Sequence, residues 1–300
     1  MNKLFQQTSS HWVKYSEYEY KQSEDGTLYL TPAPKAIPTV YDPLKDANNL
    51  VVDMINVGML CMKRASYEQI KAAILQFANK YGLLGFITAL PTTPEFMDYD
   101  AVYLPKNHFI KAESTSNEEY LTYFFPFEKL NLNKSGKKSV WSVRKDRAIM
   151  ALAMTFGEKP QALSMSFQPE YAERYDWLET QFKDWAFTFV SSILYYEDYE
   201  RLDEPTRDLY RQGMAAFGGI APTYHIILLD KPTIVWDFHS LLLGVQMMFG
   251  FLLTDEKKSL RFCRHCTKVF FAQHPKTVFC SPQCKNQYNV YKSREKNKGE

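Results

Sequence analysis

The sequence predicts a mainly helical body of α+β type with short β-hairpins, followed by a small cysteine-rich unit at its C-terminal end. Three observations lead there. Apolar residues recur at helical spacing over most of the chain. Short alternating runs flank Asp-Gly and Asp-Lys-Pro turns. Four of the five cysteines fall between Cys263 and Cys284. The 300 residues are 45% hydrophobic, 15% aromatic and 23% charged, which excludes a disordered, collagen-like or low-complexity chain.

Residues 12–30 alternate around Asp25-Gly26 and predict a β-hairpin, with Trp12, Tyr15, Tyr18, Tyr20, Leu28 and Leu30 as its apolar positions. Pro32, Pro34, Pro38 and Pro43 mark a connector. Residues 44–63 predict a helix, with Leu50, Met54, Val57, Leu60 and Cys61 on one face. A second helix runs from Ser66 to Tyr81 on the stripe Ile70, Ala73, Ile74, Phe77 and Tyr81. Ser66 and Gln69 have capping-box spacing, and Gly82 is a stop. Residues 90–115 are loop-rich, with Pro91, Pro94 and Pro105. Helical patterns follow at 117–127 and 142–155. The longest helix is predicted from Glu170 to about Tyr196, carrying Tyr171, Trp177, Leu178, Phe182, Trp185, Phe189 and Leu194. Another runs over 203–217 and ends at Gly218-Gly219. Residues 223–229 and 233–237 form a hairpin around Asp230-Lys231-Pro232, and Ser240 to Leu253 is an apolar helix. No internal repeat is visible.

Charge divides the chain. Its net charge is only +2. Residues 257–300 hold eleven basic and two acidic residues, a net +9, and leave 1–256 at −7. The expected organisation is a sensor or dimerisation body over 1–256 and a basic finger over 257–300. Such asymmetry points to a polyanion partner for the tail. A solvated basic tail is the plainer reading. The acidic stretch from Tyr195 to Glu204 faces solvent or docks the tail.

The cysteines follow the pattern C-x2-C-x13-C-x3-C at Cys263, Cys266, Cys280 and Cys284. Two short-spaced thiolate pairs suit one tetrahedral Zn2+, with iron as an alternative. Four protein thiolates leave no open position, so the site is structural rather than catalytic. Lys268 to Ala272 and Thr277 to Phe279 are predicted as two strands around Gln273-His274-Pro275-Lys276. Ser281 is placed as an N-cap, with Pro282 at the first helical position. This is a treble-clef layout. Cys61, on its apolar stripe, is expected in the core, and His265 and His274 at the surface.

The helix after Cys284 is the expected working surface. Lys285, Asn289, Lys292 and Lys296 share one side, with Arg294 on another. Lysines can neutralise phosphates, and Asn289 can meet a base edge or the backbone. Tyr288 and Tyr291 flank the Cys284 side and are expected over the zinc knuckle. Asn286 is a candidate buttress for the zinc loop. The plainer reading is an ordinary solvated helix.

Residues 260–296, from Leu-Arg-Phe-Cys-Arg-His-Cys through Phe-Cys-Ser-Pro-Gln-Cys-Lys-Asn-Gln, resemble a CGNR-type zinc finger, or a related bacterial family of unknown function with a similar finger. The Cys-Gly-Asn-Arg signature would fall on Cys284, Lys285, Asn286 and Gln287, of which Cys284 and Asn286 match. The second cysteine pair is one residue closer than in that family. The resemblance implies a DNA-binding transcription regulator whose N-terminal domain senses a ligand. For residues 1–256 it is architectural only.

Enzyme signatures are absent: no Walker-type loop, G-x-G-x-x-G, G-x-S-x-G or H-E-x-x-H occurs. His225 and His239 flank the 223–237 hairpin near Asp230 and Asp237, where a core or interface role is expected. The aromatic run Tyr120 to Phe125 lines a pocket or packs the core. Three readings result: a DNA- or RNA-binding regulator, a protein-interaction module, and an enzyme with its site in the body. The body's partner is an unidentified small molecule or protein, and dimerisation would strengthen a lone finger. The N-terminus has no signal-type apolar stretch, and the longest apolar run, Leu241 to Leu253, is 13 residues. A cytoplasmic protein without membrane contact is therefore expected.

Overall fold

The computed structural model describes residues 8–105, 107–127, 161–215, 222–228, 230–254, 259–272, 274 and 276–296. Mixed α+β architecture is observed, as expected. The chain opens with five strands: β1 (Thr8–Ser10), β2 (Trp12–Tyr15), β3 (Tyr18–Gln22), β4 (Leu28–Pro32) and β5 (Pro38–Tyr41). β3 and β4 form the predicted hairpin, in register Tyr20↔Leu30, and Asp25 Oδ1 accepts the Thr27 N–H at 3.0 Å in the turn. β2 does not extend that hairpin. It pairs antiparallel with β5, so the proline-rich connector contains a strand. Pro38 is tolerated because it opens β5, where a missing donor is least harmful.

Two helices follow, α1 (Ala47–Met62) and α2 (Tyr67–Tyr81). The capping box forms at the start of α2: Ser66 Oγ accepts the Gln69 N–H and Gln69 Oε1 accepts the Ser66 N–H. Gly82 ends α2 at φ 92°, a left-handed value that other residues resist. α3 (Phe86–Ala89) and the paired strands β6 (Ala101–Tyr103) and β7 (Ser114–Ser116) lie near and within the loop-rich stretch. α4 (Asn117–Thr122) is shorter than predicted, and α5 (Gln161–Met165) follows. The helix expected at 142–155 and the stop at Gly218-Gly219 lie outside the described residues.

The longest helix corrects the sequence reading at its start. Residues 170–174 are not helical. Glu173–Arg174 form β8, which pairs with β4, and the helix α6 runs over Tyr175–Asp198. The cause is a buried anchor. Glu173 accepts N–H groups from Leu84, Gly85 and Phe86 at 2.9, 2.6 and 2.9 Å, and the Tyr171 hydroxyl at 2.8 Å. Burial still holds its carboxyl above the ordinary carboxylate value, against the lowering by those donors. α7 (Glu204–Ala215) carries Arg207 and Arg211, both paired with Glu204. Arg201 likewise lies beside Asp198, so two acids of this stretch, Asp198 and Glu204, pair with local arginines. β9 (Thr223–Leu228) and β10 (Pro232–Asp237) form the predicted hairpin, with β1 added parallel to β10. Ser240 caps α8 (Leu241–Leu253) through the Leu243 N–H.

The core sits around α1, with α6 and α8 against it. At Gly58 an added Cβ would lie 2.0 Å from the Phe182 carbonyl oxygen, so bare backbone sets the α1–α6 approach. Phe189 of α6 stacks on Phe249 of α8 at 3.9 Å between ring centroids. Tyr120, Leu121, Phe124 and Phe125 are buried in this core, where they pack against neighbouring side chains. The chain closes with β11 (Ser259–Phe262), β12 (Val269–Ala272) and α9 (Pro282–Lys296). Among the described residues no helix is long and apolar enough to cross a membrane.

Candidate metal centre

β11 and β12 pair antiparallel, from Ser259↔Ala272 to Phe262↔Val269. The first cysteine pair lies in their turn. This corrects the predicted hairpin: residues 269–272 pair back to 259–262, and 277–279 are not a strand. The alternation of β12 explains the choice of partner. Phe270 and Ala272 face a small cluster with Cys263, while Val269 and Phe271 face the body core together with Leu260. A hairpin through the knuckle lets one ribbon serve both surfaces. Residues 277–279 instead return beside the knuckle, where Val278 O accepts the Arg264 N–H at 3.0 Å.

The knuckle itself is a tight backbone turn. Lys268 O accepts the Cys263 N–H and Cys263 O accepts the Thr267 N–H, both at 2.9 Å. Thr267 sits at φ 58°, a left-handed value unusual for a β-branched residue. The second pair is set by a helix start. Ser281 Oγ accepts the Cys284 N–H at 3.2 Å, the expected N-cap, with Pro282 opening α9.

These two devices bring the four sulfurs of Cys263, Cys266, Cys280 and Cys284 to within 4.8 Å of one another. The Cys266–Cys280 and Cys280–Cys284 separations are 3.6 and 3.5 Å. Metal–sulfur bonds of ~2.3 Å in a tetrahedron put sulfurs ~3.8 Å apart, so the set fits one ion such as Zn2+. Burial raises the Cys263 thiol, but N–H groups of Cys266, Cys280 and His265 outweigh it and bring it down to about 6. Cys280 N–H points at its sulfur from 3.4 Å. Burial, and then neighbouring thiols, hold Cys280 up. A bound divalent cation removes that penalty and deprotonates its thiol ligands.

Around the centre, Tyr291 stacks on His265 of the knuckle at 5.7 Å, and Tyr288 packs at 5.2 Å on Phe279, beside the second cysteine pair. Lys285, Asn289, Lys292 and Arg294 are exposed, as is Asn286, and Lys296 is the last residue of α9. His274 is exposed. Cys61 is buried in the body and its thiol is pushed up to about 12, first by burial, which suits a core residue and not a ligand. His225 Nδ1 lies 3.1 Å from both carboxylate oxygens of buried Asp237, a structural pair across the β9–β10 ribbon. His239 is buried, and its carbonyl accepts the Thr88 hydroxyl.

Sequence reasoning missed the neighbours of the knuckle on α1. Asn56 bonds both backbone groups of Val269, and Lys63 Nζ donates to Thr267 Oγ1 at 2.6 Å. A groove of about 550 Å3 between α1, α2 and the finger is lined by Asn56, Lys63, Cys266 and Cys280, among others. A lone asparagine inside the apolar run Met54 to Leu60 was the available signal. No family model, curated protein or solved structure matches the chain.

Proposed function

We propose that this chain is a zinc protein whose C-terminal finger binds nucleic acid, DNA first, and acts in transcriptional regulation. The observation that carries the reading is the exposed Lys285, Asn289 and Lys292 side of α9, in a tail of net charge +9. Zinc is the ion that four thiolates in two short-spaced pairs favour, and its chemistry here is structural: it closes the fold on which α9 is mounted. Cys263, Cys266, Cys280 and Cys284 hold it. Lys285, Lys292 and Lys296 take phosphates, Asn289 meets a base edge or the backbone, and Arg294 reaches a phosphate from the other side. The body serves as sensor or dimerisation domain, its ligand a small molecule or protein.

A second reading has its own observation. β9 is an edge strand among the described residues, and Tyr224, Ile226 and Leu228 stand exposed along it. Such an edge suits a protein partner or a second copy.

Fluorescence anisotropy of the full chain against labelled duplex DNA, single-stranded DNA and RNA decides between them. Three to five phosphate contacts predict a log–log salt slope of roughly −3 to −4 per protomer. Binding is expected to vanish with a zinc chelator and in a Lys285/Lys292/Lys296→Ala triple variant. Absence of binding to all three probes at low salt overturns the nucleic-acid reading and leaves the protein-partner one.

A further inference from the structure

The finger is fastened to the body at two points of its knuckle. Asn56 Nδ2 donates to Val269 O at 2.9 Å, and Asn56 Oδ1 accepts the Val269 N–H at 2.9 Å. One amide thus satisfies both backbone groups of the residue that opens β12, as a neighbouring strand would. Seven residues on, at the residue that caps the C-terminal end of α1 and so about two turns further along the same side, Lys63 Nζ donates to Thr267 Oγ1 at 2.6 Å. That hydroxyl in turn donates to Cys266 O at 2.7 Å. Thr267 is the residue held at φ 58°. Thr267 and Val269 of the knuckle are therefore held by α1 and its C-terminal cap residue, more than 200 residues away in sequence. Leu260 and Val269 enter the body core beside these bonds.

We propose that α1 is the outer support of the four-cysteine centre: Asn56 and Lys63 are positioning residues that hold the knuckle in its metal-ready shape, and they link metal occupancy of the finger to the stability of the body. The proposal rests on the metal-binding part of the function above. Its physical basis is threefold. A left-handed, β-branched residue persists only where its surroundings over-determine it, and the Lys63 bond supplies that constraint. Four thiolates around a divalent ion carry net negative charge, and the Lys63 ammonium next to the knuckle offsets it. Linkage is reciprocal, so a support that favours the metal-bound knuckle is itself favoured when metal binds.

Outer contacts of this kind are worth roughly 10–100-fold in metal affinity. The test uses the full chain, with zinc transfer to a chromophoric chelator and the absorption spectrum of the cobalt-loaded protein as readouts. Asn56→Leu removes both bonds at similar volume. Lys63→Met removes bond and charge, and Lys63→Arg restores them. Ile87→Val, a mild change in the body core away from the finger, controls for general destabilisation. The expected result is an affinity loss of about 10–100-fold in Asn56→Leu and Lys63→Met with a changed cobalt spectrum, recovery in Lys63→Arg, and wild-type behaviour in Ile87→Val. The five tryptophans all precede the finger, so their fluorescence reports the body. Zinc removal is expected to lower the fluorescence-detected melting temperature in wild type, and by less in Asn56→Leu. Wild-type affinity in Asn56→Leu, or an equal loss in Ile87→Val, overturns the proposal while metal binding stands. Failure of the wild type to take up metal overturns both.

Discussion

Glu173 offers a quantitative test of how the body is anchored. Its carboxylate is fully buried and collects four hydrogen bonds, three from consecutive backbone N–H groups before and at the start of α3 and one from Tyr171. Glu173→Gln keeps an oxygen where Gly85, Phe86 and Tyr171 donate, but turns an amide N–H toward the Leu84 N–H. One buried donor then loses its partner, at ~1–3 kcal/mol, and the remaining three bonds lose their charge assistance. A total of roughly 2–4 kcal/mol follows for Gln. Glu173→Ala strips all four donors and leaves a void. Even with water entering, about 4 kcal/mol or more is expected, a large part of the 5–15 kcal/mol typical of whole domains. Urea unfolding followed by tryptophan fluorescence measures both. A Gln variant within ~0.5 kcal/mol of wild type, or an Ala variant no worse than Gln, refutes the anchoring argument.

Further outcomes follow from other sites. Gly58→Ala should destabilise by at least ~3 kcal/mol, because its Cβ would collide with the Phe182 carbonyl, although Gly→Ala inside a helix ordinarily stabilises by ~1 kcal/mol; a stabilised variant in a thermal melt contradicts the α1–α6 packing. Burial raises the phenols of Tyr18, Tyr41, Tyr120 and Tyr171. Above pH ~10 the unfolded chain binds fewer protons than the folded one, so stability should fall as pH rises from there. Phenolate absorbance appearing in full before unfolding counts against those burial assignments. Each Lys→Ala change at Lys285 or Lys292 should shallow the DNA-binding salt slope by about 0.9, and an unchanged slope removes that residue from the interface.

Local signals carried much of this fold. The Ser66 capping box, the Gly82 stop, the Asp25-Gly26 hairpin and the Ser281 cap all depend on residues within a few positions of one another, and each formed where the pattern placed it. The cysteine spacing was legible for the same reason, since a knuckle and a helix start are local devices. Errors arose where partners are distant. β2 chose β5 over the nearer hairpin, and Glu173 left the helical pattern for donors about ninety residues earlier. The finger ribbon paired around Cys263 and Cys266 because Leu260 and Val269 have a body core to enter, which no window on the finger alone reveals. Asn56 and Lys63 were illegible as knuckle contacts for the same reason: their spacing marks one helical face, but not what lies on it.

The metal content of the full chain, purified without added metal and measured by atomic spectroscopy, tests the four-cysteine centre directly. One zinc per chain is predicted, retained in Cys61→Ser because that thiol lies in the body core, and lost or sharply reduced in Cys263→Ser and Cys280→Ser. A protein without stoichiometric metal, or one whose metal depends on Cys61 and survives both finger substitutions, contradicts the account.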